Sequence, residues 1–158
     1  MCIDTLVSHY SPSHRDPANL IIHAATVPLF VFSGLALLSA ASAAAHLFSW
    51  DVAFVFAAGL TALYARAGLR LALVLGPVLA LGAVSVHLLA EWQPWLAVAA
   101  GAAGMLTALG AQRSGHRRES VQVRFGGAWD FIQRIAREQF YISPLFLAAV
   151  ATGAKPTP

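Results

Sequence analysis

Four apolar runs follow one another along the chain, at residues 29–47, 52–65, 71–90 and 95–111, with almost no charge inside them. A helix rises 1.5 Å per residue, so the first of these runs, with its lead-in, is long enough to cross a hydrocarbon layer of about 30 Å. The second is shorter, bounded by Asp51 and Arg66, and needs Trp50 and a snorkelling Arg66 to extend it. The third contains Gly76-Pro77, a kink site, and has His87 near its far end. The fourth is rich in small residues (Ala97, Ala100, Gly101, Gly104, Ala108), which allow close helix packing. One such run could be a buried helix of a soluble bundle. Four in succession are not.

Composition agrees with this. Of 158 residues 58% are hydrophobic and 11% charged, with a mean hydropathy of +0.68, whereas a soluble domain carries about a quarter charged residues. The chain shows no linker and no repeat, and its polar N-terminus does not read as a cleaved signal peptide. The fold class expected is all-α: a polytopic membrane helix bundle with about four transmembrane helices and a C-terminal interfacial or half-inserted helix. Residues 1–158 then form one integral membrane domain. Its parts are an N-terminal segment over 1–16, a four-span bundle over about 17–111, and a polar helix plus C-terminal helix over 112–158.

Charge placement sets an orientation. Arg15, Arg66, Arg70, Arg113, Arg117 and Arg118 flank the runs on one side, while the opposite connections hold only Asp51 and Glu91, beside Trp50, Trp92 and Trp95. By the positive-inside rule both termini are expected in the cytoplasm. The sequence pI near 9.6 therefore reflects membrane orientation, and no nucleic-acid partner is expected. Cys2 is the only cysteine, so no intramolecular disulfide forms. Neither a G-x-S-x-G nucleophile motif nor a phosphate-binding glycine loop is present.

The polar residues that remain gather at one level. Asp16-Pro17 reads as a helix start, with Asp16 as cap, and Asn19 and His23 lie one turn apart on the helix that follows. At the other end of the bundle, residues 112–119 are expected to be helical, which puts Gln112, His116 and Glu119 on one face. His14 and the segment from Arg134 to Glu138 belong to the same side. Polar groups at a membrane margin are unfavourable unless they pair or bind something. Three histidines and two carboxylates at one level suit a borderline metal such as Fe(II) or Zn(II); a hydrogen-bonded cluster among lipid headgroups accounts for the same spacing. His9 reads as a solvated loop residue, and His46 and His87 fall near the opposite face, so all three are left out of the site. Residues 121–127 read as a connection and 130–153 as a helix or broken helix, its apolar part interrupted by Pro144 and too short to span.

These residues resemble a known family. Tyr10-x-x-x-His14-Arg15-x-Pro17-x-Asn19-x-x-x-His23, followed by Pro28, is similar to the N-terminal signature of the membrane family typified by the fungal 2-hydroxy fatty acid dioxygenase of phytosphingosine breakdown. Gly115-His116-x-x-Glu119 resembles its second signature. Phe125-x-Gly127, Arg134-x-x-x-Glu138-Gln139 and Pro144 resemble the C-terminal block of bacterial relatives. Thr26 stands where the family usually has glycine, and the proline that often follows the Gly-His block is missing.

The resemblance implies a small membrane enzyme using Fe(II) and dioxygen, which shortens a long-chain 2-hydroxy fatty acid by one carbon in a bacterial inner membrane or an ER-type membrane. It makes His14, His23 and His116 the iron ligands. Glu119 and Glu138 become candidates for a further ligand, for a partner that supports the ligands, or for an acid/base group. On that reading Asn19 and Gln112 orient the histidines, and Arg15, Arg117, Arg134 or Arg137 holds the substrate carboxylate. The alternatives are a haem-binding bundle with His23 and His116 as axial ligands, and a non-catalytic membrane protein that binds headgroups.

Overall fold

The computed structural model describes residues 11–45, 51–121 and 126–151. Cys2, His9, Tyr10, His46, Trp50 and Phe125, which entered the sequence reading, lie outside the described residues. Among the described residues the chain is helical and contains no strand.

A single 3₁₀ turn, Ser11–Ser13, precedes the first long helix, α1, Pro17–Ala45. Its start is the one the sequence signals: Asp16 Oδ1 accepts from the backbone N–H of Ala18 at 2.8 Å and of Asn19 at 3.2 Å, while Pro17 occupies a first-turn position where its missing N–H costs nothing. Helix α2 is Val52–Ala67, capped by Asp51 through the Ala53 N–H. Gly68 alone separates it from α3, Leu69–Trp92, and Gln93 separates α3 from α4, Pro94–His116. Then come α5, Ala128–Arg137, a π turn at Glu138–Ile142, and α6, Ser143–Ala151. Helices α1, α3 and α4 are long and apolar enough to cross a membrane. Helix α2 is apolar but has only 16 residues, about 24 Å of rise, so three of the four expected crossings have full length and the second does not.

The chain divides into two compact units, Leu29–Thr107 and the remainder, Met1–Pro28 with Ala108–Pro158. The first is held by small residues at helix contacts. A Cβ at Gly76 would lie 2.9 Å from Thr61 Cγ2, and one at Gly101 would lie 2.9 Å from the Ser33 carbonyl and 2.8 Å from Leu37 Cγ. Gly104 meets Ser33 Oγ in the same way. Larger side chains there would force the helices apart, typically at about 1–3 kcal/mol. Ala40, Ala90 and Ala97 close the packing at another level, against Leu89. The expected small-residue packing of the fourth run thus takes place on α1.

This unit also contains a polar clasp. The Asp51 carboxylate, with 5% of its side chain exposed, accepts from Ser39 Oγ and pairs with His87 Nδ1 at 2.9 Å. Burial pushes the Asp51 carboxyl up, but the bonds from Ser39, the Ala53 N–H and His87 outweigh it and hold the group below its ordinary value. His87 is therefore a tether between α3 and the cap of α2. The sequence had given it only an amphipathic place at the membrane face.

The other unit brings together the start of α1, the end of α4, and everything after it. The fourth apolar run and the polar segment that follows it are one continuous helix, which stops at His116. Residues 112–119 are therefore not helical throughout. Glu119 lies in the turn beyond, where Arg118 N–H donates to the Gly115 carbonyl at 3.0 Å and Glu119 N–H to the His116 carbonyl at 3.1 Å. In the C-terminal segment the helix begins at Ala128 and is continuous through Pro144, with a π turn just before it. Pro144 cannot donate to the carbonyl four residues back, and its ring would strike that group. The chain widens there, and the Ser143 N–H reaches the Glu138 carbonyl instead.

Candidate metal centre

His14 precedes α1, His23 lies one turn after Asn19 within it, and His116 is the last residue of α4. Folding brings all three together. One ring nitrogen from each lies within 4.8 Å of the others. The rings meet edge to face, with centroids 4.5 Å (His14–His23), 4.8 Å (His14–His116) and 4.9 Å (His23–His116) apart. His14 and His23 are 1% exposed, so the cluster is closed to bulk water on their side.

The hydrogen bonds around the rings decide which nitrogens face inward. His23 Nδ1 donates to the Asn19 carbonyl at 3.0 Å. A carbonyl is only an acceptor, so Nδ1 carries the proton and Nε2 keeps its lone pair. That lone pair points at His14 Nε2, 3.2 Å away. His14 Nδ1 meets the Ser13 hydroxyl at 3.0 Å, which can give or take a hydrogen bond. Two nitrogens bound to one ion at about 2.1 Å stand about 3–3.5 Å apart at the angles of a tetrahedral or octahedral site, so the His14–His23 pair already has ligand spacing. A backbone carbonyl behind one imidazole is the arrangement that fixes ring orientation in metal proteins. The donor set, three imidazoles and no thiolate, suits Zn(II), Fe(II) or another borderline divalent ion. These three residues could hold a metal ion.

Glu119 plays another part. It is buried, and its carboxylate is engaged by N–H donors. Oε2 accepts from the Arg15 backbone at 3.1 Å, and Oε1 from the Asp16 backbone at 3.0 Å and from Asn19 Nδ2 at 2.7 Å. Two of the donors are the backbone N–H groups just ahead of α1 and the third is the Asn19 side-chain amide, and a negative charge beside a helix start is also favoured by the helix dipole. Bonds of this charged kind are worth about 1.5–3 kcal/mol each. Glu119 thus fastens the His14-bearing segment to the end of α4. Asn19 has two roles: its carbonyl orients His23, and its side chain joins Glu119 to the Ser13 carbonyl, 3.2 Å from Nδ2. Gly115 makes the approach possible, since a Cβ there would collide with Asn19 Oδ1 and lie 3.3 Å from Ile22 Cδ1.

Gln112 does not orient a histidine. It exchanges two hydrogen bonds with Gln139 (Gln112 Nε2 to Gln139 Oε1, 2.9 Å; Gln139 Nε2 to Gln112 Oε1, 2.7 Å) and donates to Thr26 Oγ1 at 3.0 Å. Thr26 passes the chain on to the Ile22 carbonyl. All three side chains are buried, and the pairing joins α4 to the π turn one helical turn below His116. Glu138 is half-buried at the start of that turn and is not part of the three-residue grouping. Arg15, Arg117 and Arg137 are exposed, and Arg134 is held by Asp130 at 2.9 Å.

Ser13, Gly115, Thr26, Gln139 and Phe146 were not assigned to the site from sequence. Phe146 is 1% exposed, with its ring centroid 5.6 Å from that of His14, and with Ile142 and Leu145 it is part of this unit's apolar packing. Gln139, Gly115 and Thr26 were signalled by their places in or beside the motifs; Ser13 and Phe146 follow only from the fold. A haem between His23 and His116 does not fit, because rings already in edge contact leave no space for a porphyrin. Comparison of the chain with family models, with curated proteins and with solved structures finds no match, so the site is assigned on its geometry.

Proposed function

We propose that the chain is an iron(II)-dependent membrane dioxygenase that removes one carbon from long-chain 2-hydroxy fatty acids at the cytoplasmic face of its membrane. The observation that carries this reading is the convergence of His14, His23 and His116 at the polar ends of two membrane-length helices. The identity of the metal and the substrate comes from the resemblance of the motifs around those histidines.

The residues present fit the cofactor. Three neutral imidazoles would hold iron(II) and leave positions open. Bound there, the ion would supply dioxygen activation and a chelation point for a 2-hydroxy carboxylate. The overall reaction balances without a separate reductant: the acid and dioxygen give the acid one carbon shorter, carbon dioxide and water. Four electrons leave the two substrate carbons and four enter dioxygen.

The chain's own groups do the rest. Asn19 and Glu119 hold the imidazoles in register, and Phe146 gives His14 an apolar neighbour suited to an acyl chain. Glu119 accepts three hydrogen bonds as a fastening group, and Glu138, the other carboxylate of the resembling motifs, is assigned to proton transfer. Arg15, Arg117 and Arg137 have free reach for the substrate carboxylate, while Arg134 must first leave Asp130.

The test is metal analysis of protein purified without oxygen, for wild type and for His14→Ala, His23→Ala and His116→Ala, followed by oxygen uptake with a 2-hydroxy acid. The reading expects about one iron per chain in wild type, as a single three-ligand site requires, and little in the variants. Equal iron in all four proteins, or loaded enzyme that consumes no oxygen, rules it out.

A further inference from the structure

Helix α5 is the only helix of the second unit in which no residue is buried, among those described. Its residues sort cleanly by face. At 100° per residue, Ala128, Trp129, Phe131, Ile132, Ile135 and Ala136 fall on one arc, and Asp130, Gln133, Arg134 and Arg137 on the other. Much of the apolar arc is exposed, with Trp129 68% and Ile132 54% exposed. In water, such a ten-residue helix would have little to hold it, since isolated helices of that length are marginal.

We infer that α5 lies flat in the headgroup region and binds anionic phospholipid of the bilayer its own chain spans. Three observations select that occupant. The same unit contains the ends of α1 and α4, both long and apolar enough to cross a membrane, so lipid lies along this part of the chain. Tryptophan on the apolar arc with arginine on the polar one is the composition of an interfacial helix. The charge is also one-sided. Arg15, Arg113, Arg117, Arg118 and Arg137 are exposed, and no carboxylate among the unit's described residues is exposed to that degree. A second copy would bring the same positive surface against the first and be repelled. An anionic leaflet is attracted.

The lipid contact also has a local anchor. The Gly126 N–H donates to Asp130 Oδ2 at 2.9 Å, and Asp130 Oδ1 holds Arg134, so the polar arc is ordered at its N-terminal end while Arg137 stays available to headgroups. The carboxyl of Asp130 is held below its usual value by the Gly126 N–H and then by Arg134, so it remains charged. This assignment depends on the membrane reading and not on the metal or the reaction.

The experiment uses the full chain with Trp50, Trp92 and Trp95 replaced by phenylalanine, so that Trp129 is the only tryptophan. It is placed singly in nanodiscs of phosphatidylcholine, or of phosphatidylcholine and phosphatidylglycerol in equal parts. The expected result is quenching of Trp129 by lipids brominated just below the headgroup, with protection from aqueous acrylamide. Preference for phosphatidylglycerol among lipids that copurify should fall roughly fivefold in Arg137→Gln, the factor one basic residue supplies near an anionic surface. Should the triple variant not fold, the difference between wild type and Trp129→Phe gives the same signal. Trp129 open to acrylamide and untouched by brominated lipid overturns the inference. So does lipid contact indifferent to both phosphatidylglycerol and Arg137, or protection that needs two copies per disc.

Discussion

Asn19 Nδ2 donates to Glu119 Oε1 across 2.7 Å, joining two residues one hundred positions apart in the chain. One contact therefore couples the helix that carries His23 to the turn that follows His116. Its strength should be visible in both stability and metal binding.

Glu119→Ala removes the acceptor of three N–H groups at once. Thermal unfolding in detergent should show a loss on the order of 3 kcal/mol, the scale of a broken buried network, and metal affinity should weaken about 10–100-fold, as when a group supporting a ligand is lost. Glu119→Gln keeps one oxygen but turns an N–H toward backbone donors, so it should fall between wild type and alanine. Metal affinity equal to wild type in Glu119→Ala would show that the clasp does not position the histidines.

Gly115→Ala tests the close approach of α4 to Asn19. Asn19 is fully buried and pinned by two hydrogen bonds, so it cannot yield to the added methyl. A cost of about 1–3 kcal/mol is expected, together with reduced metal occupancy. Gly110→Ala, where a Cβ meets nothing within 4 Å, is the control and should be neutral or slightly stabilising.

The Gln112–Gln139 pair makes a prediction of sign. Gln112→Leu alone leaves Gln139 buried with both polar ends unmet, at roughly 1–3 kcal/mol. Replacing both residues by leucine should be milder than the sum of the two single changes, because no unpaired amide remains. Strict additivity in a double-mutant cycle would mean that the two amides do not interact.

Asp51 gives a pH dependence. Its folded pKa lies below the ordinary carboxylate value, so the contribution of its charge is complete above the unfolded pKa, near 3.9, and is lost as pH falls through the folded value. Acid unfolding of Asp51→Asn should therefore be less steep below about pH 4 than that of wild type. Ser39→Ala, which removes one stabilising donor, should move the acid limb upward.

The three long helices and the Asp16 cap were legible because uninterrupted apolar runs and capping residues act locally. The polar end of α4 was harder. Gln112, His116 and Glu119 share a helical face only while the helix lasts, and it stops at His116. Glu119 reaches the site through a turn that periodicity does not encode. Gln112 was expected to orient a histidine and Gln139 entered only as a motif neighbour of Glu138, and only folding shows that each satisfies the other. Thr26, a departure from the motif pattern, is explained by the same network, since its hydroxyl accepts from Gln112. The short α2 was legible in the run bounded by Asp51 and Arg66, whereas the Asp51–His87 clasp depends on packing between helices, which no run of residues shows.

His14 and His23 leave the ribosome about a hundred residues ahead of His116. A nascent chain therefore exposes a two-imidazole half site long before the third ring exists, and it can bind an ion only weakly during that interval. On the proposed reading, cofactor loading waits until α4 has entered the bilayer and the Glu119 turn has closed. On the same reading, an arrest placed before residue 116 yields a chain that does not retain a metal ion.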